Sequence, residues 1–440
     1  MRRWRADLAW LPGTGLARDV LIEASGDRFV SVVPDAAKAS QAARSGASRL
    51  AGLTLPGFAN AHSHAFHRAL RAITGGCDFW DWRSRMYEVA SLLDPDSYYR
   101  LARAVYAEMV LSGISCVGEF HYLHAGSNSH GHRLIEAAGD AGLRITLLDA
   151  CYLTAGASGE PVTGAQRLFS DTSADRWVSR LSGFGPVPAH ARLGAAVHSV
   201  RAVPMPAMGE VVSWAHARAA PLHAHLSEQP AENSACRQAY GRTPAQVFED
   251  AGVLGPRTTM VHATHLSQSD VGLLGESQTT ACLCPTTEAD LGDGIGPAAA
   301  LSAAGSPLSL GSDSHAVIDM LQEARWLEWG QRMATGRRGL FSAESLAVAA
   351  TAAGHACLGW PDAGEIVPGA YADLVTVGLD TVRLTGAQRH APLAAVIFGG
   401  TADDVRNVVI GGRDVVRDGR HLLVEDVPGE LAAAISAVLP

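Results

Sequence analysis

Four short stretches of this chain carry residues able to bind a metal ion or move protons. They are His62-Ser-His64, His223-Ala-His225-Leu-Ser-Glu228, His262-Ala-Thr-His265 and Asp313-Ser-His315. Residues two apart on an extended segment project from one face, so His62 and His64 can converge on a single point, and so can His223 and His225. Neutral imidazole is the commonest protein ligand for a metal. Three histidines and one aspartate together suit one borderline divalent ion such as Zn²⁺, with a position left for water. Acidifying that water towards neutrality is hydrolase chemistry. Taken singly, each residue has a plainer explanation. One of His223 and His225 can be a packed or hydrogen-bonded histidine, His265 and His315 can sit at the surface or behind a site, and Asp313 can cap the helix that follows. Their joint occurrence at the ends of apolar runs favours the metal site.

Those runs read as strands. Candidates are 53–58, 114–119, 144–149, 192–197, 221–226, 258–262, 279–284 and 307–312, with helical patterns between them. The clearest helix is 95–112, which opens on a proline and repeats apolar residues at Leu101, Val105, Met109 and Val110. Short apolar strands alternating with helices predict an α/β fold, a (β/α)₈ barrel whose strand ends meet in one bowl. Strands are also expected at 18–23 and 28–33, about the turn Ser25-Gly26-Asp27, with a polar link at 36–47. After about residue 365 the helical pattern gives way to runs that read as strands at 372–377, 394–398 and 405–416. The two ends of the chain are thus expected to pair as one small β-sandwich domain, residues 1–55 and 365–440, beside a barrel of residues 56–364. Two connections, 73–93 and 152–175, exceed the usual length and would overhang the bowl.

Composition narrows the partners. With 47% hydrophobic and 18% charged residues among 440, the chain reads as an ordinary globular protein. A net charge of −9 leaves no electrostatic footprint for nucleic acid or an anionic membrane. An anionic substrate would need dedicated cationic side chains, and these must be arginines, because Lys38 is the single lysine. Cysteines 77, 116, 151, 236, 282, 284 and 357 lack framework spacing and fit buried thiols in a reducing compartment. Cys282-Leu-Cys284 lies in an apolar run and reads as strand core. The N-terminus is charged without an apolar h-region, and no later run approaches a membrane span, so a cytoplasmic location is expected.

The pattern His-x-His after the first barrel strand, His after the fifth, His after the sixth and Asp after the eighth resembles the amidohydrolase superfamily over nearly the whole chain. The resemblance implies a distorted barrel with a β domain built from both termini. One branch of that superfamily bridges two metals with a carboxylated lysine on the fourth strand; here the only lysine precedes the barrel, which excludes it. The mononuclear deaminase branch carries His-x-x-Glu after the fifth strand. His225-Leu-Ser-Glu228 matches it, and the match selects His225 over His223. The resemblance then implies His62, His64, His225 and Asp313 as ligands of one divalent ion, most simply Zn²⁺. It also implies that Asp313 accepts the water's proton, that His262 stabilises the tetrahedral adduct and that Glu228 carries a proton to the leaving nitrogen.

More local motifs narrow the branch. His62-Ser-His-Ala-Phe, Phe79-Trp-Asp-Trp-Arg83-Ser-Arg-Met-Tyr87, Glu119-Phe-His-Tyr122 and His198-Ser-Val-Arg201 are similar to the formimidoylglutamate deiminases of histidine degradation. That similarity implies a small dicarboxylate substrate, N-formimidoyl-L-glutamate, and a homodimer. Arg83 and Arg201 would each take a carboxylate through a bidentate fork, Tyr122 would donate a hydrogen bond, and His198 would line the pocket. The alternative for Arg83 is a surface helix with Trp80 and Trp82 packed beneath it. One departure stands out: that family has Gln where this chain has His67, a position set to touch the substrate. Competing readings are a mononuclear deaminase or chlorohydrolase of an aminated heterocycle such as guanine, and a metal-stabilised binding protein without turnover. The first would need aromatic stacking in place of two arginines; the second has no use for Glu228 and His262.

Overall fold

The computed structural model describes residues 1–73, 75–76, 79–386 and 390–439. Cys77 lies outside the described residues, as does the side chain of Trp80. The first four strands are β1 (Arg2–Leu11), β2 (Gly15–Ser25), β3 (Arg28–Val33) and β4 (Ser48–Pro56). Eight more follow: β5 (Phe58–Ser63), β6 (Ile114–His121), β7 (Arg144–Cys151), β8 (Ala191–Val197), β9 (Leu222–Leu226), β10 (Thr258–His262), β11 (Thr280–Leu283) and β12 (Leu308–Leu310). The last four are β13 (Leu374–Val377), β14 (Val405–Ile410), β15 (Arg413–Arg417) and β16 (Arg420–His421).

Strands β5 to β12 pair in chain order and in parallel. Every residue of β6 and β7 is buried, as parallel strands covered on both faces require. Just beyond β12 the amides of Ser312 and Asp313 donate to the His62 carbonyl at 3.1 and 3.0 Å, and the His64 amide donates to the Asp313 carbonyl at 3.2 Å. These bonds close the sheet into a distorted (β/α)₈ barrel and set Asp313 beside His62 and His64. Gly311 permits that approach: a Cβ there would meet the His62 Cβ at 2.7 Å. Helices fill the crossovers. Helix Pro95–Leu111 begins on Asp94, whose carboxylate accepts from the Ser97 amide at 2.7 Å, with proline in the first turn. It buries Leu101, Val105 and Met109 against the barrel.

The second sheet runs β16-β15-β14-β13-β4-β1-β2-β3, so both termini build it. It folds round its own apolar core, which includes Trp4, Val20, Ile22, Phe29, Leu50, Leu374 and Val409. A buried ion pair ties it to the barrel. Arg144, at the start of β7, reaches Asp373 at 2.8 Å, and Asp373 also accepts from the Gly411 amide at 2.7 Å.

Two expectations are corrected. The run 53–58 is not the first barrel strand. Its residues up to Pro56 belong to β4 in the terminal sheet, and the barrel begins at Phe58, so His62 lies within the strand. Pro56-Gly57 is the break at which the chain leaves one sheet for the other. The run 394–398 is not a strand, and helices do not stop near 365: Pro392–Gly399 and Val427–Val438 are helical, each with proline in its first turn. Leu393, Val396 and Ile397 join the barrel's apolar core. None of the helices among the described residues is long and apolar enough to cross a membrane.

Candidate active site

The ends of the barrel strands form a cleft of about 690 Å³, lined in part by His64, His67, His225, Glu228, His262 and Asp313. At its base the Asp313 Oδ1 lies 3.2 Å from His62 Nε2 and 3.3 Å from His64 Nε2, and His225 Nε2 lies 3.2 Å from His62 Nε2. The Nδ1 atoms of His64 and His225 each sit 2.9 Å from a backbone carbonyl, of Phe120 and His198 respectively. A carbonyl only accepts, so both rings carry their hydrogen on Nδ1 and turn a bare Nε2 lone pair inward. Burial pushes all three imidazoles far below their usual range, His64 to about 3, and holds them neutral. The bare His64 Nε2 and the Asp313 carboxylate oxygen, 3.3 Å apart, have no hydrogen between them, and a cation is what satisfies both. The ligand atoms of His62, His64 and Asp313, and those of His62, His225 and His262, each fall within 4.8 Å of one another. The donor set, nitrogen and oxygen, fits a borderline divalent ion.

Strained backbone aims several of these groups. His262 at φ +69° and Asp313 at φ +38° both adopt left-handed conformations costly to residues with a Cβ, and such strain concentrates at active sites. His262 stacks on His225 with ring centroids 5.6 Å apart, and its Nδ1 lies 3.5 Å from a Glu288 carboxylate oxygen. Burial works against a charge on His262, but hydrogen bonding to Glu288 and the nearby Glu228 and Asp313 raise its pKa well above the usual value. Asp313 is not a helix cap. That task falls to Asp319, which accepts from the Leu321 amide at 2.9 Å.

The structure brings His62, His64, His225, Glu228, His262 and Asp313 together and separates them from His223, His265 and His315. His223 shares a face with His225 but lies two residues further from the strand end, its Nε2 3.1 Å from the Cys357 carbonyl. His315 stands behind the cluster, bridging Ser63 Oγ at 3.1 Å and Ser312 Oγ at 2.9 Å. His265 does not line the cleft. Cys282 and Cys284 are buried in and beside β11.

The cleft is lined as well by Arg83, Tyr122, His198 and Arg201. Arg83, on helix Phe79–Leu92, donates from Nε to the Tyr87 hydroxyl at 2.6 Å. Trp82 is buried beneath that helix, and its ring meets His67 edge-on with centroids 5.2 Å apart. His67 Nε2 lies 2.8 Å from the Tyr122 hydroxyl. Arg201 is held by two acids: Nη2 is 3.1 Å from Glu228 and Nε 3.0 Å from Glu232. The sequence reading of Arg201 as a carboxylate clamp missed that pairing, and it missed Tyr152, Phe169 and Gln166 altogether. A signal existed for Gln166: Thr163-Gly-Ala-Gln166 is a capping-box pattern on one of the long connections.

A parallel barrel that gathers imidazoles and carboxylates about one point at its strand ends defines a hydrolase that polarises water at a cation. Residues 53–415 match the model of the amidohydrolase family, and the chain belongs to that family, hydrolases of C–N bonds. It is 36% identical to formimidoylglutamate deiminase of Pseudomonas aeruginosa, over 94% of this chain and 95% of that protein. It is 31% identical to 8-oxoguanine deaminase of the same organism, covering 83% of each. The crystal structure of an amidohydrolase from Brucella melitensis superposes over the whole of both chains with a TM-score of 0.89 at 30% identity.

Proposed function

We propose that this enzyme hydrolyses N-formimidoyl-L-glutamate to N-formyl-L-glutamate and ammonia. His62, His64, His225 and Asp313 would hold one divalent ion, most simply Zn²⁺, which when bound would supply the Lewis acidity that activates water. The reading divides the chain into a barrel of residues 56–364 and a terminal β domain of residues 1–55 and 365–440. The observation that carries the substrate is that Arg83 and Arg201 line the same cleft as the cluster, since a substrate with two carboxylates asks for two guanidinium forks.

The side chains divide the work. Arg83 and Tyr122 bind one end of the substrate, and His67 sets the Tyr122 hydroxyl. Arg201 and His198 flank the other end, beside Glu228. Asp313 takes a proton from the attacking water. His262, held beside Glu288, faces the oxygen that develops negative charge. Glu228 passes one proton to the imino nitrogen as water adds, which makes it an amino group. As the adduct collapses its hydroxyl gives up the second proton of the water, and a second proton, replaced through Asp313, reaches the same nitrogen by way of Glu228, so that the C–N bond breaks with ammonia as the leaving group and the formyl group remains on the glutamate nitrogen. Arg201 keeps the Glu228 carboxylate in place for that transfer.

A second reading, deamination of an aminated heterocycle such as guanine, draws on the aromatic wall of Trp82, Tyr122, Tyr152 and Phe169 and on the similarity to 8-oxoguanine deaminase. Ammonia release from formimidoylglutamate and from guanine, with and without chelator, separates the two. Turnover of guanine alone would overturn the first.

A further inference from the structure

One of the two long connections pushes a buried amide into the wall of the cleft. Gln166 lies in the short turn Gly164–Leu168, capped by Thr163, and is 6% exposed. The turn is tied down by its backbone, for the Leu168 carbonyl accepts from the amides of His124 at 3.0 Å and Ala125 at 2.7 Å. The side chain is fixed at both ends. Its Oε1 accepts from the Thr163 amide at 3.2 Å, so the amide cannot be turned round. Its Nε2 has two hydrogens and two acceptors, the Tyr152 hydroxyl at 3.0 Å and the Tyr87 hydroxyl at 3.4 Å.

The consequence lies in the tyrosines. Both line the cleft. The Tyr87 oxygen already accepts from Arg83 Nε at 2.6 Å, so with Gln166 it has two donors directed at it, and its own hydrogen must go elsewhere. The Tyr152 oxygen accepts from Gln166 and is likewise left with a hydrogen to give. Burial keeps Tyr152 a neutral donor by pushing its pKa up to about 12. Hydroxyls that each accept from a fixed donor become fixed donors themselves, and they stand next to the guanidinium of Arg83.

We propose that Gln166 is a positioning residue that sets substrate specificity: it orients the Tyr87 and Tyr152 hydroxyls so that both donate to a carboxylate bound beside Arg83. The inference deepens the formimidoylglutamate reading and rests on it for the identity of the substrate. It assigns the connection between β7 and β8 a part in recognising the carboxylate, and makes the tyrosines dependent on a residue that touches no substrate atom.

The test compares Gln166→Ala and Gln166→Glu with wild type on N-formimidoyl-L-glutamate and on the two analogues in which one or other carboxylate is replaced by hydrogen. Gln166→Ala is expected to raise KM about tenfold, with kcat and metal content near wild type. The effect should vanish on the one analogue that lacks the carboxylate the tyrosines hold, and in a Tyr87→Phe/Tyr152→Phe background. Gln166→Glu keeps the shape but accepts where glutamine donates, which draws the hydroxyls away from the cleft; it should be worse than Gln166→Ala. A merely structural role predicts the opposite order, and that order, an unchanged KM, or equal losses on both analogues would overturn the proposal. Calorimetric titration with N-formyl-L-glutamate reads binding without turnover. If wild type binds it but releases no ammonia from formimidoylglutamate, the assigned reaction fails, while a tenfold weaker Kd for Gln166→Ala still upholds the role of Gln166 and an equal Kd overturns it. No binding by wild type removes both.

Discussion

Arg83 and Arg201 look alike in the sequence, yet their surroundings predict that they fail differently when replaced. Arg83 stands on a helix that lines the cleft, with its Nε on the Tyr87 hydroxyl. Arg201 sits between Glu228 and Glu232 at 3.1 and 3.0 Å. A hydrogen bond to a charged group contributes about 1.5–3 kcal/mol, so losing a two-point carboxylate contact costs about 3–6 kcal/mol. At about 1.4 kcal/mol per factor of ten, kcat/KM falls by about 10²–10⁴ in either variant. The split between constants is what distinguishes them. In Arg83→Met the lost contact is made equally by substrate and transition state, so the damage appears in KM with kcat nearly intact. Arg201→Met also leaves Glu228 and Glu232 facing one another without a cation. Burial already raises the Glu232 carboxyl, with Arg201 pulling the other way, so removing Arg201 drives it towards the neutral form and takes from Glu228 the guanidinium that positions it. Its kcat should therefore fall about tenfold or more while metal content stays constant. Steady-state ammonia release, with metal measured by mass spectrometry on the same samples, checks both statements. An Arg201→Met enzyme with wild-type kcat would show that Glu228 needs no partner, and wild-type kcat/KM in both variants would remove the dicarboxylate assignment.

Three further outcomes are expected. His225→Ala and Asp313→Asn should each bind Zn²⁺ at least about tenfold more weakly and lose ammonia release, with unchanged far-UV circular dichroism, and chelator-treated wild type should recover activity when Zn²⁺ is returned. Asp373→Asn breaks the buried pair with Arg144 and should lower stability by about 3–5 kcal/mol in denaturant titrations; an unchanged midpoint would mean that the terminal sheet and the barrel do not depend on that contact. His421 accepts the amides of Leu423 and Val424 on Nδ1 at 3.1 and 3.0 Å, and burial lowers its pKa to about 4. Between about pH 6.5 and 4 the unfolded chain binds a proton there that the folded chain refuses, so its contribution is complete above 6.5 and is lost as pH falls towards 4. His421→Gln should flatten the dependence of Tm on pH across that window, and a parallel shift at all pH values would contradict it.

The residues that could do chemistry were legible because barrel topology leaves them little freedom. Whatever path the crossovers take, the ends of parallel strands in a closed barrel share one rim, so His62, His225, His262 and Asp313 were bound to meet once eight strands were recognised. The errors arose where an apolar run is compatible with more than one neighbour. Residues 53–58 have strand character in fact as well as in expectation, but periodicity says nothing about which sheet a strand joins, and only Pro56-Gly57 marked the change. Ala394-Ala-Val-Ile-Phe398 is short and apolar enough to be read as a strand; a proline at the first helical position and a site on the barrel's flank make it a helix.

The walls of the cleft belong to a different class of problem. Arg201 was placed correctly beside the cleft, but its pairing with Glu228 and Glu232 depends on how the chain turns after β9. The amide of Gln166 meets Tyr87 only because two long connections cross above the same rim. Neither contact follows from local propensity or from the strand count. On the proposed reading, chemistry at the rim is compatible with many substrates on one scaffold, and discrimination rests on side chains contributed by connections. The two walls can consequently fail separately: substitutions at the strand ends should abolish turnover of every substrate, whereas substitutions at Arg83, Tyr87, Tyr152 or Gln166 should change which substrate is turned over and leave the metal in place. A variant of the second group that lost its metal would show that wall and rim are one cooperative unit.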